Sequence, residues 1–232
     1  MRSISRLRAV AVAALLLAAT AVVAAAPDAQ AFFGDDVEGE TPRIARALEL
    51  RPGGVVADVG AGDGSYAIAL APLVAPGGRV LATEIEDDAV AKIRHEAADA
   101  RVTNLTVLQG GIDTTKLPPG CCDAVLMRGV YHHLTAPAAI DASVFAALKP
   151  GGRFLVVDFP PSFWLSPWTP EGIPADRGGH GIPLDVLVRE VEGAGFRTVL
   201  VDRGWPTGLL TDLYGVVFEK PGGASDPAAS AP

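Results

Sequence analysis

The sequence predicts a doubly wound α/β fold, a mainly parallel sheet with helices on both faces, and three observations carry that expectation. Short apolar runs at residues 55–59, 79–84, 105–109 and 124–128 lack the alternation of half-exposed strands, as strands buried on both sides do. Helical segments, expected at 44–50, 66–74, 88–98, 136–148 and 184–194, alternate with strands along the chain. The first strand, Val55-Val56-Ala57-Asp58-Val59, runs into Gly60-Ala61-Gly62-Asp63-Gly64, a turn with glycine at alternate positions. Glycine there lets the backbone turn sharply and approach a ligand closely, because no Cβ intervenes.

The spacing of that turn selects among nucleotide-like ligands. A dinucleotide fingerprint reads G-x-G-x-x-G or A and seats a pyrophosphate on the helix N-terminus. Here the turn reads G-x-G-x-G and carries Asp63 where a diphosphate would meet like charge. Asp58, at the strand end, suits a cationic or hydroxyl-bearing ligand. With these residues the chain resembles the class I S-adenosylmethionine-dependent methyltransferases of small-molecule type. The resemblance implies a seven-stranded, Rossmann-like methyltransferase fold and S-adenosyl-L-methionine as cofactor.

Later segments follow in the order the resemblance implies. Arg79-Val80-Leu81-Ala82-Thr83-Glu84 is a second strand ending in an acid, and Glu84 lies 20 positions after Gly64, near the usual offset for a ribose-binding carboxylate. By resemblance Glu84 takes both ribose hydroxyls, with Glu86 the nearby competitor. After the third strand, Gly110-Gly111-Ile112-Asp113 falls where the family contacts adenine. Gly111 stands where many relatives carry an acid, so Asp113 is the candidate for the adenine amino group. The cofactor set implied is Asp58, Gly60, Ala61, Gly62, Gly64, Glu84, Ile85, Gly111, Ile112, Asp113 and Arg128.

The fourth strand precedes Gly129-Val130-Tyr131-His132-His133-Leu134, which resembles the post-strand segment of small-molecule methyltransferases. A Pro150-Gly151-Gly152 turn, a fifth strand ending at Asp158-Phe159, Ala194-Gly195-Phe196 and strands at 198–202 and 214–220 match the family's closing half, so the resemblance spans residues 41–221. Methyl transfer from an activated sulfonium chiefly needs alignment of the acceptor and exclusion of water. A base is needed only where the acceptor must lose a proton. The candidates are His133, Tyr131, His132, Asp158 and His180, each of which also has a structural explanation as a cap, a strand end or a loop residue. His133 is preferred, because similar relatives commonly carry histidine there.

Residues 160–183 form the segment expected to select the acceptor, with Phe163, Trp164 and Trp168 among the five prolines from Pro160 to Pro174 and Gly178-Gly179-His180-Gly181 behind them. Two readings stand: a lid over an apolar or aromatic substrate, or an exposed loop resting on the sheet edge. No Asp-Pro-Pro-Tyr segment follows the fourth strand, so amino methylation of a nucleic-acid base is not expected.

Arg2, Arg6 and Arg8 precede an uncharged run at 9–26, and Ala29-Gln30-Ala31 offers a cleavage site, the layout of a secretory signal peptide. An uncleaved anchor is the alternative, since the run is just long enough to span a bilayer. The formal net charge is −8 and deepens to −10 without residues 1–31, which disfavours nucleic acid and anionic lipid as partners. The expected organisation is a leader at 1–31, one domain at 32–221 and a disordered tail at 222–232. The two cysteines, Cys121 and Cys122, are adjacent and are expected as free thiols, with no metal site. The function expected is an exported, periplasmic or extracellular, methyltransferase acting on a small apolar or aromatic molecule. The alternative is an exported protein of the same fold that binds a nucleoside or other small ligand without catalysis.

Overall fold

Seven strands, β1 (Val55–Val59), β2 (Arg79–Glu84), β3 (Leu105–Gln109), β4 (Cys122–Arg128), β5 (Leu148–Asp158), β6 (Arg197–Trp205) and β7 (Leu213–Glu219), pair into one sheet. Their order is β3-β2-β1-β4-β5-β7-β6. The first five run parallel, with Ala57 beside Leu81 on one flank and Val125 on the other, while β7 enters antiparallel between β5 and β6. The strand order reverses between β1 and β4, and sheets of this kind bind ligands at such a switch point, beyond the carboxyl ends of the strands. This computed structural model describes residues 36–162, 169, 171–205 and 212–222. The leader at 1–31, the aromatic residues Phe163, Trp164 and Trp168, and the tail from 223 lie outside the described residues.

Five helices complete the domain: α1 (Val37–Ala47), α2 (Ser65–Val74), α3 (Asp87–Asp99), α4 (Pro137–Ala147) and α5 (Leu184–Gly193). One face of the sheet, through Ala57, Val59, Val125, Met127 and Val156, packs with Ile140 and Val144 of α4 and with Val186, Leu187 and Val191 of α5. Alternate strand residues point to the opposite face. There Val56, Leu126 and Leu155 are fully buried, and α2 lies against β1 and β2. That two-sided cover explains the apolar strands that carried the sequence expectation. No helix among the described residues is long and apolar enough to cross a membrane.

Several boundaries differ from expectation for identifiable reasons. The first helix was expected at 44–50 but occupies Val37–Ala47, because Asp36 caps its start by accepting the Gly39 N–H at 3.0 Å. Its end is set where Glu49 turns left-handed, with φ 52°. β4 reaches back to Cys122 through an irregular register beside Leu148. β6 extends to Trp205, which pairs with Leu213 of β7 across a second irregularity. Cys121 and Cys122 are paired as a disulfide, not free thiols; consecutive positions hold their Cα atoms 3.8 Å apart, and the sulfurs turn toward each other.

Candidate active site

The glycine turn is fastened to the end of β2. Gly60 and Ala61 both donate their N–H groups to the Thr83 carbonyl, at 2.9 and 3.0 Å. Gly60 has φ +72°, and a Cβ there would lie 2.6 Å from Val130 Cγ1, so only glycine fits between the strand end and the segment after β4. Glu84 braces the same turn from the side. One carboxylate oxygen accepts the Gly62 N–H at 2.8 Å, and the other accepts the Ile85 N–H at 2.9 Å.

Asp58, at the end of β1, is only 3% exposed, and its Oδ2 has no hydrogen-bond partner among the described residues. Burial, then the nearby Glu84 carboxylate, push its pKa up to about 7, against a hydrogen bond from the Ala67 backbone. An unsatisfied buried carboxylate oxygen is costly. The glycine turn follows Asp58 in the chain and the Glu84 charge acts on it, so these residues offer groups suited to the amino acid and ribose parts of S-adenosylmethionine and fit the implied cofactor.

The end of β3 joins this rim through the Gly110 N–H, which donates to the Glu84 carbonyl at 2.9 Å. Gly111 donates to the Thr114 carbonyl in a tight turn, and Ile112 and Asp113 are exposed at its tip. Ile85 and Ile112 are 46% and 68% exposed, two bare aliphatic side chains following adjacent strand ends. Glu86 lies at the start of α3, exposed. Arg128 ends β4 as expected, but its guanidinium pairs with the buried Glu40 carboxylate of α1 at 2.8 Å, so it ties α1 to the sheet. Glu40 also accepts the Trp205 indole N–H at 3.1 Å, bringing in β6.

Beyond β4, a 3₁₀ turn at Tyr131–His133 begins one residue after Val130, which the Gly60 turn touches. The structure brings four of the five candidate bases together. His132 Nδ1 lies 2.8 Å from the Asp158 carboxylate, which also accepts the backbone N–H groups of His132 and Phe159. The His132 ring centroid lies 4.1 Å from that of His133 and 4.9 Å from that of His180. Crowding of the exposed His133 ring by surrounding atoms, then by the imidazoles of His132 and His180, holds its pKa down to about 4, with Asp158 opposing. It is therefore unprotonated at neutral pH.

Tyr131 is the exception, and its place in the core corrects its candidacy as a base. Its ring is wholly buried in the core, and its hydroxyl donates to Asp141 of α4 at 2.7 Å. Burial, then the Asp141 charge, raise its pKa far above the phenol range.

His180 reaches the cluster because the residues flanking it are joined to those that follow β5. Ile182 donates to the Phe159 carbonyl at 2.9 Å and Ser162 to the His180 carbonyl at 3.2 Å. Gly181, at φ +107°, passes so close to Pro160 that a Cβ would lie 2.8 Å from its carbonyl oxygen. Arg177, fully buried, donates to the Tyr131 carbonyl and to Glu190, both at 2.7 Å, and so holds the loop against the histidine turn. Arg177, Glu40 and Asp141 escaped the sequence reading. Their partners lie 46, 88 and 10 positions away, and no local pattern marks those pairings.

Over residues 50–170 the sequence matches a family described as a methyltransferase domain. It is 34% identical over 113 residues to a 37.1 kDa protein of transposon TN4556 from Streptomyces fradiae, an alignment covering 47% of this chain and 31% of that protein. It is 29% identical over 111 residues to the ubiquinone/menaquinone biosynthesis C-methyltransferase of Pasteurella multocida, covering 47% of this chain and 41% of that one. The matched segment is thus less than half of either relative. A crystal structure of a SAM-dependent methyltransferase from Aquifex aeolicus shares the fold, with a TM-score of 0.63 at 21% identity over 82% of this chain and 90% of that one.

Proposed function

The chain belongs to the methyltransferase-domain family, and on that premise we propose that it transfers a methyl group from S-adenosylmethionine to a small apolar or aromatic acceptor. The observation that carries this reading is the joining of Glu84 to the Gly62 N–H, beside the buried Asp58 oxygen that has no partner of its own. Each Glu84 oxygen spends one lone pair on the backbone and keeps another for a ribose hydroxyl. Asp58, ionised, receives the cationic amine of the cofactor's methionine part. Ile85 and Ile112 offer aliphatic faces to the adenine ring, and Asp113 offers an acceptor for its amino group.

When bound, the cofactor supplies a sulfonium methyl: the acceptor–carbon bond forms as the carbon–sulfur bond breaks, leaving its electron pair on sulfur. The chain's part is alignment and exclusion of water. Val130 links the cofactor turn to the histidine turn, so the acceptor lies between them. A hydroxyl acceptor loses its proton toward the unprotonated His133, while Asp158 fixes the orientation of His132. The acceptor class is supported by the aromatic residues Phe163, Trp164 and Trp168 in the loop sequence and by the quinone pathway in the name of the Pasteurella multocida relative. Incubating the purified chain with methyl-labelled cofactor and a panel of hydroquinones and phenols, then tracing the label by mass spectrometry, tests it. Labelled acceptor supports the reading; cofactor bound but never demethylated with any acceptor of this class counts against it.

Export belongs to the same proposal and is supported by the arginines before the uncharged run at 9–26. Residues 1–40 fused to a reporter active only outside the cytoplasm should give signal. A silent, stable fusion would remove this part.

A further inference from the structure

We propose that His132, His133 and His180 form a binding site for one divalent transition-metal ion of the zinc class, open on one side toward the acceptor cleft. The three residues each present a ring nitrogen, and these nitrogens lie within 4.8 Å of one another. Ligands in a tetrahedral site with metal–nitrogen bonds of about 2.0–2.1 Å sit about 3.3 Å apart. The remaining gap must close by side-chain rotation, for which His133, the exposed member, has the most room.

A second observation points the same way. Asp158, completely buried, takes His132 Nδ1 at 2.8 Å and is itself fixed by two backbone N–H groups. Metal-ligating histidines characteristically give their other ring nitrogen to a carboxylate, which sets the tautomer and raises ligand basicity. Here Asp158 leaves His132 Nε2 as the ligand nitrogen and supplies compensating negative charge. Phe159 stacks on His180 at 5.6 Å with ring planes 19° apart, so a second ligand is held by packing.

The donor chemistry sets the class of ion. Three imidazoles with no oxygen donor among them suit zinc, cobalt, nickel or copper and offer little to magnesium or calcium. Three protein ligands leave a fourth position free, the pattern of zinc sites that act on a substrate. The sequence concealed this because His180 lies 47 positions after His133 and no ligand spacing connects them. If the methyl-transfer reading holds, an ion here would polarise an acceptor hydroxyl so that its proton leaves to solvent, and His133 would act as ligand in place of base.

The test uses the full chain without a polyhistidine tag, stripped with a chelator and titrated with zinc by calorimetry and with cobalt by visible absorption. The expected result is one equivalent bound, with the intense visible bands of four-coordinate cobalt. His133→Ala and His180→Ala should each weaken zinc binding at least about tenfold, and Asp158→Asn about ten- to a hundredfold. The exposed His95→Ala should leave it unchanged. His133→Ala alters an exposed side chain, so its result stands even if a buried variant fails to fold. Less than a fifth of an equivalent bound by the wild type, or zinc affinity unmoved by His133→Ala, overturns the proposal. Binding of S-adenosylhomocysteine, measured on the same stripped sample, separates the two readings: cofactor without metal removes only this inference, and metal without cofactor removes only the methyl-transfer reading.

Discussion

The Glu84 carboxylate accepts the Gly62 N–H at 2.8 Å, which makes the acid at the end of β2 and the turn after β1 a single rigid unit. The two parts come from neighbouring parallel strands, and register fixes their approach, since Asp58 lies beside Ala82 and Val59 beside Thr83. A cofactor meeting this rim finds its hydroxyl acceptor already oriented, so little ordering remains to be done on binding.

Asp58 should couple binding to protons. Its pKa in the folded protein is raised from 3.8 to about 7, so the native state holds a proton that the unfolded chain releases between these values. Stability should therefore be highest below pH 4 as far as this group contributes, and should fall as pH rises toward 7. A cationic ligand favours the ionised form, so cofactor binding near pH 6 should release a proton and tighten up to about pH 7. Asp58→Asn should remove the proton release and weaken binding, while leaving the thermal midpoint at pH 8 equal or higher. Calorimetry in buffers of different ionisation enthalpy, with thermal melts at pH 5 and 8, checks both signs.

Gly60 should separate conformation from contact. Gly60→Ala places a side chain at φ +72° and 2.6 Å from Val130, costing about 1–2 kcal/mol for the left-handed backbone and about 1–3 kcal/mol for the overpacking. Adding Val130→Ala should return the second part only. Denaturant unfolding of the single and double variants measures the difference.

Much of this architecture was legible in the sequence, and the physical reason is locality. Strands buried on both faces must be short apolar runs, and a sharp turn against a ligand must be glycine. The 55–64 segment therefore declared both its strand and its turn. Glu84 was legible because its offset from Gly64 is set by one helix and one strand. The histidine cluster was only half legible: His132 and His133 marked a segment, but their meeting with His180 depends on a loop whose ends are joined by Phe159 and Ile182. Glu40 was invisible, because it lies before the helix expected at 44–50 and its partner Arg128 is 88 positions away. Only the fold turns it inward onto Arg128.

Glu40 should be a principal structural ion. It is 1% exposed and holds both Arg128 and the Trp205 indole, so Glu40→Ala breaks a buried ion pair and removes the acceptor of a buried indole at once. A loss of about 3–5 kcal/mol is expected, as for other broken buried pairs. Glu40→Gln, which keeps an oxygen for Trp205, should lose less. Urea unfolding gives the order, and equal midpoints for wild type and Glu40→Ala would disprove the role.

The central claim is that the Glu84 rim binds S-adenosylmethionine, and calorimetric titration of the folded full chain with S-adenosylhomocysteine tests it most directly. The wild type should bind one equivalent, and Glu84→Ala should bind more weakly by about 1–3 kcal/mol, the usual loss for a charged hydrogen-bond acceptor. No binding to wild-type protein that still melts cooperatively, or an affinity that Glu84→Ala leaves unchanged, would contradict the account.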